Sequence, residues 1–419
     1  MKLVWILGIS LIAAAAVVLA APPAQSGRKG AVRHPTRDLE YSRVKTGIEV
    51  LQEQDFAPLK GKSIGLITNY TAILPDYTRT VDVLAKAPGV KVAAIFTPEH
   101  GLTATQARRD IESSKDEATG LPIYSLFRNG EYRPTPEMMQ GVDALVYDIQ
   151  DIGARFYTYI TTLGYMVEEA ARYRVPIYIL DRPNPINGIT VEGPPLDPEH
   201  VSFVGFLPGM PIRHGLTIGE LARLYNGEKH LGADVRVIEM TGWRRSDYLD
   251  QTGVVWTNPS PQIRSLVQAI LYPGLCLMES QIWVKTGWDL PFQAIAAPWM
   301  KGREVAAYLN SRHIPGLSFV GRRFTPDGGP YRNQELEAVE VLLLDRNAVQ
   351  PVELGVEMVS ALNKLYPGKF DIDRQIRLLG NEDTARRIRA GEDPRQIAAS
   401  WRAGEARFAQ IRARYLIYK

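Results

Sequence analysis

From Lys62 onward, short apolar runs alternate with amphipathic stretches along the chain. Ser63–Ile67 reads as a strand, Thr80–Ala87 has helical spacing, and Val90–Phe96 is a second strand. Leu121–Leu126 is a shorter strand, and Ala144–Tyr147 is another that runs into Asp148. A helix follows from about Thr161 to Tyr173, and then the strand Val175–Leu180. Thr217, with Glu220 three residues on, predicts a capping box at the head of a helix reaching Asn226, before a last strand over Val235–Met240. Strands separated by helices at this spacing predict βαβ units and a buried, largely parallel sheet. Past that point Pro and Gly become dense, and helices over Arg303–Ser311, Val352–Leu365 and from Ala385 predict a second, smaller α/β lobe. The predicted boundaries are 43–235 for the first domain and 236–419 for the second.

The first 42 residues break this pattern. Lys2, the apolar run Leu3–Leu19 and the small residues up to Ala20 read as a secretory signal peptide over 1–20. Residues 21–42 read as a Pro-, Gly- and charge-rich linker. The expected location is therefore periplasmic or secreted, with no stable membrane insertion once the leader is removed. Cys276 is the single cysteine, which excludes an intrachain disulfide and any Cys-based metal cluster, and it reads as a small buried hydrophobe. The net charge of +3 over 419 residues makes no case for nucleic acid as a partner.

The informative polar residues follow the strands. In open parallel sheets, ligands bind beyond the carboxyl ends of the strands. Here those ends deliver Thr68-Asn69, then Thr97-Pro98-Glu99-His100-Gly101, then Asp148 to Arg155, then Asp181-Arg182-Pro183-Asn184. Four strands supplying polar groups at one edge favour a site. No G-x-G-x-x-G follows the first strand, and Walker A and G-x-S-x-G sequences are both missing. The six histidines lack helical zinc spacing, leaving only a site assembled in three dimensions from His100, Asp148 and His214. The remaining inventory of carboxylates, Arg, Asn and aromatics suits glycoside hydrolysis, which uses a pair of carboxyl groups. Tyr157, Tyr159, Trp256, Trp283, Trp288 and Trp299 are candidate sugar-stacking faces, or simply core.

The ordered blocks GLITN (65–69), FTPEHGL (96–102), YDIQDIG (147–153), RFYTY (155–159), LDRPNP (180–185), VEGP (191–194), RHGLT (213–217), YPG (272–274) and APW (297–299) resemble the bacterial exo-β-N-acetylmuramidase family. The resemblance runs from Gly47 to the C-terminus. It implies a Rossmann-like N-terminal domain, a smaller auxiliary C-terminal domain of α/β (α+β) type, and a cleft between them. It further implies release of N-acetylmuramic acid, or a related amino sugar, from the non-reducing end of a peptidoglycan-derived muropeptide or disaccharide, without cofactor or metal. Two departures stand out. The family's Thr-Asn-His-Thr-Gly reads Thr68-Asn69-Tyr70-Thr71-Ala72, and its Gly-Arg-Gly-Thr is replaced within Trp283–Phe292, where the missing Arg falls near Lys285 and Thr286. If that Arg meets the lactyl carboxylate, Lys285 is a poor substitute and the two new Trp point to more stacking.

Glu99 is the first choice for a catalytic carboxylate. Glu168 is favoured by the resemblance as the second, with Asp148, Asp151 and Glu192 as alternatives. Asn69, His100, Tyr157 and His214 are expected at the substrate. Arg155, Arg182 and Asn184 read as substrate-positioning donors, or else as an internal network with Asp148, Asp151 and Asp181. The competing function is a non-catalytic sugar-binding protein that kept the cleft.

Overall fold

The computed structural model describes residues 43–103, 114–128, 130–285 and 287–419. The predicted signal peptide and linker lie outside the described residues. Ten strands are β1 (Ser63–Thr68), β2 (Lys91–Thr97), β3 (Ser114–Lys115), β4 (Pro122–Ser125), β5 (Ala144–Asp148), β6 (Ile177–Leu180), β7 (Val235–Ile238), β8 (Ala294–Ala296), β9 (Leu317–Phe324) and β10 (Leu336–Leu343). The first seven form one sheet in the order β3-β4-β2-β1-β5-β6-β7, parallel except for the edge strand β3. The remaining three form an antiparallel sheet in the order β8-β10-β9. The fold is α/β with two sheets, and every strand expected between residues 63 and 240 is present.

The chain builds the large sheet outward from β1, first to β2 and β4, then back across to β5, β6 and β7. That reversal is the switch point beside which α/β sheets hold their ligands. Here Thr68 of β1 pairs with Asp148 of β5. The helix Thr158–Tyr173 starts three residues before its predicted position, with Tyr157 as N-cap. Among the described residues no helix is long and apolar enough to cross a membrane.

Sequence periodicity missed the helix Leu266–Leu275, because Pro273 and Gly274 sit inside it. Pro273 falls in the last turn, where the helix runs on into the 3-10 turn Cys276–Met278. Gly274 lets this helix cross Pro351–Leu365 at backbone contact: a Cβ on Gly274 would lie 1.9 Å from the Pro351 carbonyl oxygen. β9 and β10 were also missed.

One contiguous apolar core runs from Ile67 in the first sheet to Phe408 near the C-terminus. Polar clamps fix the two lobes further. Glu192 Oε1 accepts the backbone N–H groups of Val352 (2.7 Å) and Glu353 (3.1 Å), capping the helix Pro351–Leu365. The C-terminal segment returns to the large sheet, where Tyr418 donates to Asp181 Oδ2 at 2.7 Å.

Candidate active site

Glu99 is carried by the turn after β2. The strand ends at the buried Thr97, and both His100 (φ 74°) and Gly101 (φ 70°) take the left-handed conformation, so the chain turns back sharply beyond the carboxylate. A left-handed histidine costs energy and is held only where the surroundings enforce it, as at functional sites. Thr158, the first residue of its helix, donates from Oγ1 to Glu99 Oε2 at 2.8 Å.

Glu99 opens into a cleft of about 330 Å³. His100, Phe156, Tyr157, Thr158 and Tyr159 line it from the large-sheet lobe, with Phe203, Val204, Ser260 and Gln262. The second half of the chain contributes Tyr272, Glu279, Ser280, Lys285, Phe292, Arg374, Gln375, Arg377 and Leu378. The aromatic rings pack edge to face: Tyr157 lies 4.8 Å from Tyr159 and 5.9 Å from Tyr272, and Tyr272 lies 4.8 Å from Phe292. Burial pushes the Tyr157, Tyr159 and Tyr272 phenols well above their ordinary range, with Tyr70 and Glu99 adding to the effect at Tyr159. These hydroxyls therefore remain donors at any working pH.

Three positive charges stand around the cleft in different states. Lys285 Nζ donates to Glu279 Oε2 at 3.1 Å. Arg374 is largely exposed and stands 3.7 Å from Asp371. The Arg377 guanidinium lies 5.0 Å from the Phe203 ring centre, and among the described residues it makes no ion pair.

Of the residues proposed from sequence, Glu99, His100 and Tyr157 line this cleft. Asn69 does not line it but lies beside Tyr159, with its side-chain oxygen taken up by the N–H (3.0 Å) and hydroxyl (2.6 Å) of Thr71. The others are occupied elsewhere. Glu168 is bound by Arg133 and by the Tyr225 hydroxyl. It stands ten residues along the helix from Thr158, a rise of roughly 15 Å, whereas the two carboxyls of a glycosidase stand about 5 to 9.5 Å apart. Glu168 is therefore not brought to Glu99, and its expected catalytic role is withdrawn.

Arg155, expected to bind substrate, is fully buried. It donates to the carbonyls of Pro194 (3.0 Å), Met210 (2.8 Å), Leu378 (2.9 Å) and Leu379 (2.7 Å), so it ties the lobes together instead. Arg182 and Asp148 form a buried two-point pair, with Thr80 also donating to Asp148. The Asn184 amide donates to Leu216 O at 3.0 Å and its oxygen accepts from Ile186 N at 3.1 Å. His214 Nδ1 accepts from Leu216 N at 3.2 Å, which assigns the ring proton to Nε2, 3.5 Å from Asp151 Oδ2. Asp151 Oδ2 in turn accepts Gly153 N at 2.7 Å. The internal-network reading thus holds for Arg182 with Asp148, and Glu192 serves as a helix cap. Among the described residues, no three or more His, Cys, Asp or Glu groups converge as metal ligands.

The Trp residues are also packing elements. Trp288 stacks on Phe324 at 4.3 Å, Trp283 meets Tyr331 at 5.9 Å, and Trp299 meets Tyr366 at 5.2 Å. Trp256 donates to Asn258 at 3.0 Å. None of them lines the cleft, so the stacking role expected of Trp283 and Trp288 is not found. Thr286 lies outside the described residues. Cys276 is buried, as expected. Sequence reasoning missed Glu279, Tyr272 and Arg377. The Tyr272-Pro273-Gly274 block was the available signal for the first two.

Models of the N- and C-terminal domains of the exo-beta-N-acetylmuramidase NamZ match residues 64–267 and 270–418. The chain is 39% identical over 386 residues to the peptidoglycan beta-N-acetylmuramidase NamZ of Bacillus subtilis (strain 168), covering 90% of this chain and 92% of the relative. It is also similar to two crystal structures of DUF1343 family proteins from Bacteroides fragilis NCTC 9343. One has a TM-score of 0.84 at 35% identity, the other 0.73 at 30%; each comparison covers 90% of this chain and 99% of the other.

Proposed function

The chain belongs to the exo-β-N-acetylmuramidase family, and from that premise we propose that it cleaves terminal muramic acid from peptidoglycan-derived fragments in the Glu99 cleft, with Glu99 as general acid. It is a glycoside hydrolase. The observation that carries the site is the Glu99 carboxylate, set on a sharply turned loop, held by Thr158 and opening into a cleft lined by both halves of the chain. A carboxyl group so placed can protonate a departing glycosidic oxygen, while the phenols and His100 orient the sugar hydroxyls. Muramic acid carries a lactyl carboxylate, and the cations Lys285, Arg374 and Arg377 around the cleft suit an anionic sugar. The natural substrate is a muropeptide or disaccharide small enough to offer a non-reducing muramic acid end.

The test is hydrolysis of a chromogenic N-acetyl-β-muramide against the matching glucosaminide. Release of the chromophore from the muramide is expected. Release from neither, at high protein concentration, would overturn the assignment.

The place of action is proposed as the periplasm or the exterior, from the leader-like segment Lys2–Ala20. Mature protein should begin near Ala21, and N-terminal sequencing that still reads Met1 would refute it.

A further inference from the structure

Hydrolysis by this route requires a second carboxylate, and the candidates read from sequence are all bound elsewhere. Glu168 is held by Arg133 and Tyr225, Asp148 by Arg182, and Glu192 caps a helix. Asp151 is buried between Gly153 N and the His214 ring. Among the described residues lining the Glu99 cleft there is one further acid, Glu279. We propose that Glu279 is the second catalytic carboxylate, the base for the attacking water, with Lys285 as its positioning residue; this rests on the glycosidase reading above.

Three observations carry the assignment. Glu279 is delivered to the cleft by rigid structure: it follows the 3-10 turn Cys276–Met278, which is anchored through the glycine-mediated crossing of the helices Leu266–Leu275 and Pro351–Leu365. Its side chain is 26% exposed, so it is partly shielded yet reachable. It is held in place by Lys285, whose Nζ donates to Glu279 Oε2 at 3.1 Å.

The reaction then balances. Glu99 gives its proton to the glycosidic oxygen as the C1–O bond breaks, and that bond's electron pair stays on the departing oxygen. A water oxygen bonds C1, and the proton lost by that water passes to Glu279. Net transfer is one water across one acetal bond, and solvent exchange resets both carboxyls. Glu99 and Glu279 line the same cleft, one from each half of the chain.

The experiment uses the full chain and the chromogenic muramide. Turnover by the unmodified protein tests the glycosidase reading by itself; the variants test Glu279. Glu279→Gln and Glu279→Ala should each lower kcat by about 10² to 10⁴, with unfolding midpoints and product binding kept near those of the parent. Sodium azide should restore turnover in Glu279→Ala and yield the α-glycosyl azide, because azide is already anionic and attacks C1 opposite the leaving group without a base. Lys285→Gln should lower kcat with KM little changed, and Lys285→Arg should restore part of the loss. Unmodified protein should release the α-anomer first, as read by NMR. Near-normal kcat in a folded Glu279→Gln protein would overturn the proposal. So would Glu279→Ala that azide does not rescue, or a β-anomer released first.

Discussion

Thr158 Oγ1 stands 2.8 Å from Glu99 Oε2, so the first residue of one helix holds the acid delivered by a neighbouring strand. The bond joins the turn after β2 to the first turn of that helix. Removing the donor should therefore act on catalysis more than on folding. A hydrogen bond between neutral groups contributes about 0.5–1.5 kcal/mol, so Thr158→Val should lower kcat/KM by roughly twofold to tenfold, and Thr158→Ser should recover most of it. Glu99→Gln should lose about 10² to 10⁴ in rate while sugar binding persists. Near-normal turnover in Glu99→Gln would remove Glu99 from the mechanism.

Arg155 should matter for stability and not for substrate affinity. Its four carbonyl partners come from both lobes, and truncation leaves them buried without a donor. Arg155→Met should cost about 2–4 kcal/mol in urea unfolding, with KM for the muramide unchanged at temperatures where the variant is folded. A raised KM with unaltered stability would restore Arg155 as a substrate ligand.

Two buried carboxyls give stability a definite pH dependence. Burial raises Asp181 to about 7 and Glu192 to about 7, against 3.8 and 4.5 ordinarily. Between about pH 4 and 7 the folded chain therefore holds protons that the unfolded chain has released. Their stabilising contribution is fully present below pH 4 and is lost as pH rises through 7. The urea midpoint should fall between about pH 4 and 7 and level off above that, and Glu192→Gln should flatten part of that slope. An unchanged slope in the variant would show that Glu192 does not titrate in this range.

Arg377 should read substrate charge. Its guanidinium rests on Phe203 at the cleft and has a fork of donors suited to a carboxylate. Because the group is exposed, Arg377→Ala should lower kcat/KM for the muramide by only about threefold to tenfold. The loss should shrink for a substrate whose lactyl group is an amide. Equal losses on both substrates would mean that the charge is read by another group.

Much of this protein was legible along the chain. Local burial patterns are written in residue type, so the strands at 63–67, 90–96, 144–147 and 175–180 and the Thr217 capping box could be read directly. The turn that presents Glu99 was also visible, because Pro98 and Gly101 constrain the backbone beside it, whereas the left-handed His100 emerged only in the fold. What tertiary structure decided was the use of each charge. Arg155, Arg182, Glu168 and Glu192 carry the chemistry of ligands, yet buried charges must be paired, and each found its partners inside the protein. Glu279 shows the converse. It stands 180 residues beyond Glu99 in a segment whose Pro and Gly obscured its helix, and only the helix crossing at Gly274 brings it to the cleft. Sequence spacing reports neighbours within a few residues, whereas the selection of a reactive pair depends on which polar groups folding leaves facing the same space.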